Sequence, residues 1–106
     1  MKSATTLPLP CVAVIFTSEL SDDTDGYDEM AARMEALARA QPGFLGLESV
    51  REGRRGITVS YWRDRDAVHA WGAHPEHRQA QRLGRERWYL SWRIRVVEVS
   101  AERGVG

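Results

Sequence analysis

Residues 44–62 read FLGLESVREGRRGITVSYW, and this stretch decides the architecture. Phe44–Glu52 and Ile57–Arg63 are two apolar, β-branched and aromatic runs joined by Gly53-Arg54-Arg55-Gly56, a four-residue hairpin loop with glycine at each end. On the second run Ile57, Val59 and Tyr61 point one way, and Thr58, Ser60 and Trp62 point the other. Upstream, Pro42-Gly43 stops a helix whose Tyr27, Met30, Ala31, Met34, Leu37 and Ala38 recur at helical spacing. Asp25 is its expected cap, with Asp28 and Glu29 favourable at the positive end of the helix dipole. Further upstream, Cys11–Ser18 (CVAVIFTS) is a strand, with Val12, Val14 and Phe16 on one face and Ala13 and Ile15 on the other.

Downstream, Asp64–Ala73 reads as a second helix, and His74-Pro75 as a restart, because proline suits a first helical turn and not an interior. The restarted segment runs to about Trp88, and Trp92–Val99 is the last strand. The order βαββαβ with right-handed crossovers predicts an α+β, ferredoxin-like fold: a four-stranded antiparallel sheet with helices on one face. Helices cover one side only, yet the strands carry large groups on both. The uncovered face predicts a homodimer formed by sheet-to-sheet packing.

A chain of 106 residues makes one domain, placed at 11–100, with a flexible arm at 1–10 and a tail at 101–106. One cysteine, Cys11, allows no internal disulfide and fits a reducing compartment. The apolar run near Cys11–Phe16 is far shorter than the ~18 residues of a membrane span, and no signal-peptide pattern precedes it, so a cytoplasmic protein without membrane contact is expected. Net charge is zero, but residues 1–50 hold eight acids against three bases (net −5), and residues 51–106 seven against twelve (net +5). That asymmetry is either compositional, since all bases but Lys2 are arginine, or it turns a basic half toward an anionic ligand or acidic partner. Arg55–Trp62 has the basic-glycine start of an RNA-recognition strand but carries Ile57 and Val59 where stacking aromatics are required, so no nucleic-acid partner is expected. Phosphate loops, nucleophile elbows and dinucleotide motifs are missing from the sequence.

PGFLGLES at 42–49, SYW at 60–62, and DAVHAW (66–71) followed by HPEHRQAQRLGRERWY (74–89) resemble the antibiotic biosynthesis monooxygenase-like family of the dimeric α/β-barrel superfamily. The resemblance spans about residues 11–99. It implies a homodimeric barrel with a pocket between sheet and helices in each subunit, and relatives that include cofactor-free oxidases of polycyclic phenols, haem-degrading enzymes and quinol-oxidising proteins. In the quinone-forming relatives a tryptophan ending the third strand lines the pocket, and Trp62 stands there. Their asparagine four positions earlier corresponds to Thr58, and their helical tyrosine to about Val68. Their later arginine corresponds to Arg82, or to Gln81 if the alignment shifts by one. In haem-degrading relatives a helical tryptophan precedes the iron-binding histidine by ten positions. Trp71 matches, but Gln81 stands at the histidine position and Thr17 or Ser18 where an asparagine is expected, so neither haem nor another cofactor is anticipated.

Among the histidines, His69 is expected on a solvated face and His74 as a cap before Pro75, and no metal site is expected. His77 heads a stripe with Ala80, Gln81, Gly84 and Trp88. A histidine there either takes a proton from a phenolic substrate or serves as a buried structural group bonded to backbone or partner. Trp62, Trp71, Trp88, Tyr89 and Trp92 suit the wall of a pocket for a flat aromatic ligand, and equally a core or an interface. Two functions follow. One is a cofactor-independent monooxygenase of an aromatic or quinol-like compound, with His77, Trp62 and Arg82 catalytic and Thr58, Ser60, Trp71, Gln81 and Trp88 contacting substrate. The other is a non-catalytic dimeric protein that binds a small ligand, or a stress-related accessory.

Overall fold

The chain runs β1 (Cys11–Leu20), α1 (Tyr27–Arg39), β2 (Phe44–Glu52), β3 (Arg55–Trp62), α2 (Arg65–Gly72), α3 (Pro75–Leu83) and β4 (Tyr89–Val99), in a computed structural model describing residues 6–105. A single π turn, Gly84–Trp88, links α3 to β4. The strands form one sheet in the order β2-β3-β1-β4, antiparallel at every pairing. This is the expected ferredoxin-like α+β fold, with its second helical segment divided in two.

The division falls at His74-Pro75 for the reason read from the sequence. His74 is extended, its Nδ1 accepts the Glu76 N–H at 3.2 Å, and Pro75 occupies the first turn of α3. Asp64 starts α2 in the same way, its carboxylate accepting the Ala67 N–H at 2.8 Å. Asp25 does not cap α1. Gly26, at φ 80°, holds that position and turns the chain through the left-handed region, while the Asp25 carbonyl accepts the Trp88 indole N–H at 3.0 Å.

Three boundaries differ from expectation. The hairpin loop is two residues, because Arg55 and Gly56 pair with Glu52 and Arg51, and Gly53, at φ 59°, supplies the tight turn. β1 continues to Leu20 and β4 begins at Tyr89, since the ladder between them extends through a bulge at Glu19/Leu20. Residues 6–10 and 100–105 have no regular structure, and the Leu7 N–H reaches the Glu102 carboxylate at 3.0 Å. The first five residues of the arm expected at 1–10, and Gly106, lie outside the described residues.

Helices pack on the face that carries Val12, Val14, Phe16, Thr58, Ser60 and Trp62. Trp62 is completely buried there with Ala38 of α1 and Ala67 of α2, and Phe44, Val68 and Trp71 close around them. The opposite face carries Ile15 beside Val59 and Val50 beside Ile57, the last two 67% and 52% exposed. Part of the charge asymmetry is internal: Asp22 pairs with Arg54 and Asp23 with Arg87, so acids of the first half meet arginines of the second in the loop before α1. No helix among the described residues is long and apolar enough to cross a membrane.

Candidate active site

Between the helices and the sheet lies a cavity of about 470 Å³. Its floor is made by alternate residues of the strands (Val14, Phe16, Leu47, Thr58, Ser60, Trp62), because the period-two pleat sends only those toward the helices. Tyr27, Met30 and Met34 of α1, Val68 and Trp71 of α2, and His77, Ala80 and Gln81 of α3 roof it, with Trp88 and Tyr89 at one end. A forked ion pair from Arg33 to Glu76 (2.9 and 3.0 Å) ties α1 to α3 outside it.

At one end three rings lie in series. His77 stacks on Trp71 with centroids 4.3 Å apart, and Trp71 stacks on Trp62 at 6.2 Å. The His77 Nδ1–H donates to the Trp71 carbonyl at 2.9 Å. In the neutral ring that donor selects the tautomer whose Nε2 is an open acceptor. Burial, with a smaller contribution from nearby His74, lowers the His77 pKa below its ordinary 6.5, so the ring is neutral at pH 7. A neutral imidazole with one nitrogen anchored and the other open has the form of a general base.

A sequence model described as antibiotic biosynthesis monooxygenase matches residues 21–83. The chain belongs to the antibiotic biosynthesis monooxygenase family. It is 53% identical over 95 residues to the uncharacterized protein YqjZ of Bacillus subtilis (strain 168), covering 89% of this chain and 83% of that one. Its fold is similar to that of SnoaB, a cofactor-independent oxygenase from Streptomyces nogalater (TM-score 0.72, 18% identity, 90% of this chain and 96% of that one). A candidate antibiotic biosynthesis monooxygenase from Deinococcus radiodurans aligns at TM-score 0.79 and 15% identity, over 90% and 98% of the two chains.

Of the residues singled out from the sequence, His77, Trp62, Thr58, Ser60, Trp71, Gln81 and Trp88 share the wall of this one cavity of the antibiotic biosynthesis monooxygenase fold. Arg82 does not. It is exposed on the outside of α3, because adjacent helical residues are turned by about 100°, and Gln81 and Arg85 face the cavity instead. The Trp62 indole N–H donates to Ser60 Oγ at 2.9 Å, and Thr58 shares a hydrogen bond of 2.8 Å with Ser49 across the β2–β3 ladder. Tyr27 was not identified as a site residue from the sequence, and Tyr89 entered only among the aromatic residues that suit a pocket wall. Tyr27 was legible there only as the first position of an apolar helix stripe, and Tyr89 as part of an aromatic-rich segment. Their juxtaposition, with rings 5.9 Å apart and edge to face, arises from bringing α1 over the start of β4.

Proposed function

We propose that this antibiotic biosynthesis monooxygenase family member is a cytoplasmic, cofactor-independent monooxygenase of a small aromatic or quinol-like compound, acting as a homodimer. The observation that carries the reading is the half-buried, neutral imidazole of His77, anchored through Nδ1 and lining a cavity walled by Trp62, Trp71 and Trp88. His77 Nε2 removes the phenolic proton of the substrate, and the resulting carbanion reduces O₂. One oxygen atom enters the ring carbon as a carbonyl, the other leaves as water, and the substrate supplies all the electrons. The Ser60 oxygen accepts the Trp62 indole N–H, so its own hydroxyl proton is free to donate to the developing anion. The apolar walls keep water away from the carbanion.

Oxygen uptake with a panel of anthrols, naphthols and quinols tests this. His77→Gln is expected to lower the rate by about 100-fold or more, the usual worth of a positioned base. In the wild type, uptake falls in acid solution as His77 is protonated, with the midpoint of that limb below the ordinary imidazole value; the variant's residual rate lacks the limb. The depressed pKa has the same sign in stability. The unfolded chain binds the proton more readily, so stability declines as pH drops from 6.5 toward the folded value. A full rate in His77→Gln, or no oxygen uptake with any compound, overturns the base assignment.

One observation favours the second reading, binding without chemistry. Thr58 and Val68 occupy the positions where the quinone-forming relatives carry asparagine and tyrosine, and the Thr58 hydroxyl is already bonded to Ser49. Quenching of tryptophan fluorescence by these compounds without oxygen uptake would select it.

The homodimer rests on the uncovered sheet face, where Ile15, Val50, Ile57 and Val59 lie together. Sedimentation equilibrium at micromolar concentration is expected to give twice the 12.0 kDa of the chain, and a stable single-chain mass would refute it.

A further inference from the structure

The cavity has a further polar cluster, anchored on a different rung of the sheet from the His77 stack. Arg51 lies on the helix side of β2, on the rung it shares with Gly56 and Ser18. Its guanidinium crosses Gly56, where an added Cβ would come within 2.5 Å of Nη2, and donates to the Tyr27 hydroxyl at 2.9 Å. The same guanidinium lies 5.4 Å over the Tyr27 ring. Tyr89 stands edge to face against Tyr27, its own ring passing over Gly84, where an added Cβ would come within 2.7 Å. Both glycines therefore provide the room this cluster occupies.

Proton bookkeeping follows from the geometry. A phenol has one hydrogen to donate, and an oxygen that can accept. Arg51 only donates, so the Tyr27 oxygen is its acceptor. No hydrogen bond among the described residues takes the Tyr27 proton to a carbonyl or carboxylate. Burial, then the adjoining Tyr27 hydroxyl, pushes the Tyr89 phenol well above its ordinary value. Tyr27 is thus a hydroxyl polarised by a cation at its oxygen, on the wall of the cavity.

The two polar ends are anchored at different rungs of the sheet. Trp62, against which the Trp71–His77 stack rests, pairs with Val12, whereas the Tyr89 ring packs on Phe16 at 5.5 Å. Four residues along β1 correspond to about 13 Å. The wall between the ends is mostly apolar, with Met30, Met34 and Val14 among its members.

We propose that Tyr27 recognises an oxygen atom at the end of the cavity remote from His77, so that the ligand is a fused aromatic carrying one oxygen at each end. This rests on the aromatic-ligand reading above and adds to it the polarity and length of the ligand. Tyr27 is the contact. Arg51 and Tyr89 are positioning residues that orient and polarise it.

Titration of tryptophan fluorescence with 2-naphthol, naphthalene-2,6-diol, 2-anthrol and anthracene-2,6-diol tests the assignment. In the wild type at least one diol is expected to bind about fivefold tighter than its mono-ol, the worth of one neutral hydrogen bond. Tyr27→Phe brings each diol to the affinity of its mono-ol, and continued quenching by the mono-ols shows that the cavity is intact. Tyr89→Phe retains most of the diol advantage, because the Tyr27 proton remains. If neither diol outbinds its mono-ol, or Tyr27→Phe keeps the full advantage, the second pole is refuted while the aromatic cavity stands. Loss of the advantage in Tyr89→Phe alone also refutes the choice of Tyr27. If none of the four compounds quenches, the aromatic-ligand reading and the second pole fail together.

Discussion

Trp62→Ala lowers the free energy of unfolding by about 4 kcal/mol, read as a shift in the midpoint of urea denaturation at unchanged slope. Trp62 is completely buried and belongs to every layer of the core: Phe44 of β2 meets it edge to face at 5.4 Å, Trp71 of α2 stacks on it, and Ala38 and Ala67 complete the cluster. Truncation removes one of the two buried tryptophans of a small core and opens the floor of the cavity from below. Surrounding strands cannot collapse into the space, because Trp62 sits in the ladder between Val12 and Phe44. Against a total stability of about 5–15 kcal/mol for a domain, the loss is severe. Trp62→Phe keeps most of the packing and loses the indole bond to Ser60, so it is expected to cost markedly less. Equal losses in the two variants would show that the hydrogen bond, and not the ring volume, anchors β3 to the helices.

Gly43→Ala is expected to cost about 3 kcal/mol, from two causes that add. Gly43 sits at φ 84°, where an L side chain carries a penalty of about 1–2 kcal/mol. Its missing Cβ would also fall 2.7 Å from the Cβ of Ala67 in the first turn of α2, an overpacking worth about 1–3 kcal/mol. Neither partner can yield easily, since the Gly43 carbonyl accepts the Arg63 N–H at 2.7 Å and Ala67 is held by Asp64. Gly53→Ala separates the two causes. That glycine also has a positive φ, 59°, but nothing lies within 4 Å of its missing Cβ, so only the backbone penalty remains. Thermal denaturation of both variants checks this, and equal midpoints would remove the contact between Gly43 and α2 from the account.

Much of the site was readable along the chain because it sits on regular elements. Thr58, Ser60 and Trp62 alternate with Ile57, Val59 and Tyr61, so once Trp62 was placed in a pocket the pleat assigned its neighbours. His77 was readable from its stripe on α3, and the capping role of His74 from Pro75 after it. Arg82 was named from the family correspondence, where a shift of one position gives Gln81 instead, and on a helix one position changes the face completely; the stripe through His77 already held Gln81. The cluster of Tyr27, Tyr89 and Arg51 was missed for another reason. They come from α1, β4 and β2, and nothing local in any of the three segments announces the other two.

The order of strands and helices, the break at His74-Pro75 and the membership of one sheet face follow from the sequence by itself, since alternation, helical spacing and the backbone limits of proline and glycine act within a few residues. Tertiary structure alone decided the tautomer of His77, set by the Trp71 carbonyl, and the meeting of Arg51, Tyr27 and Tyr89 at the far end of the cavity. Even the six residues from Trp71 to His77 span a helix break whose geometry sets that bond, and the others are separated by whole elements. Local rules determine which face a side chain takes. Only the closure of helices over the sheet determines what it touches there.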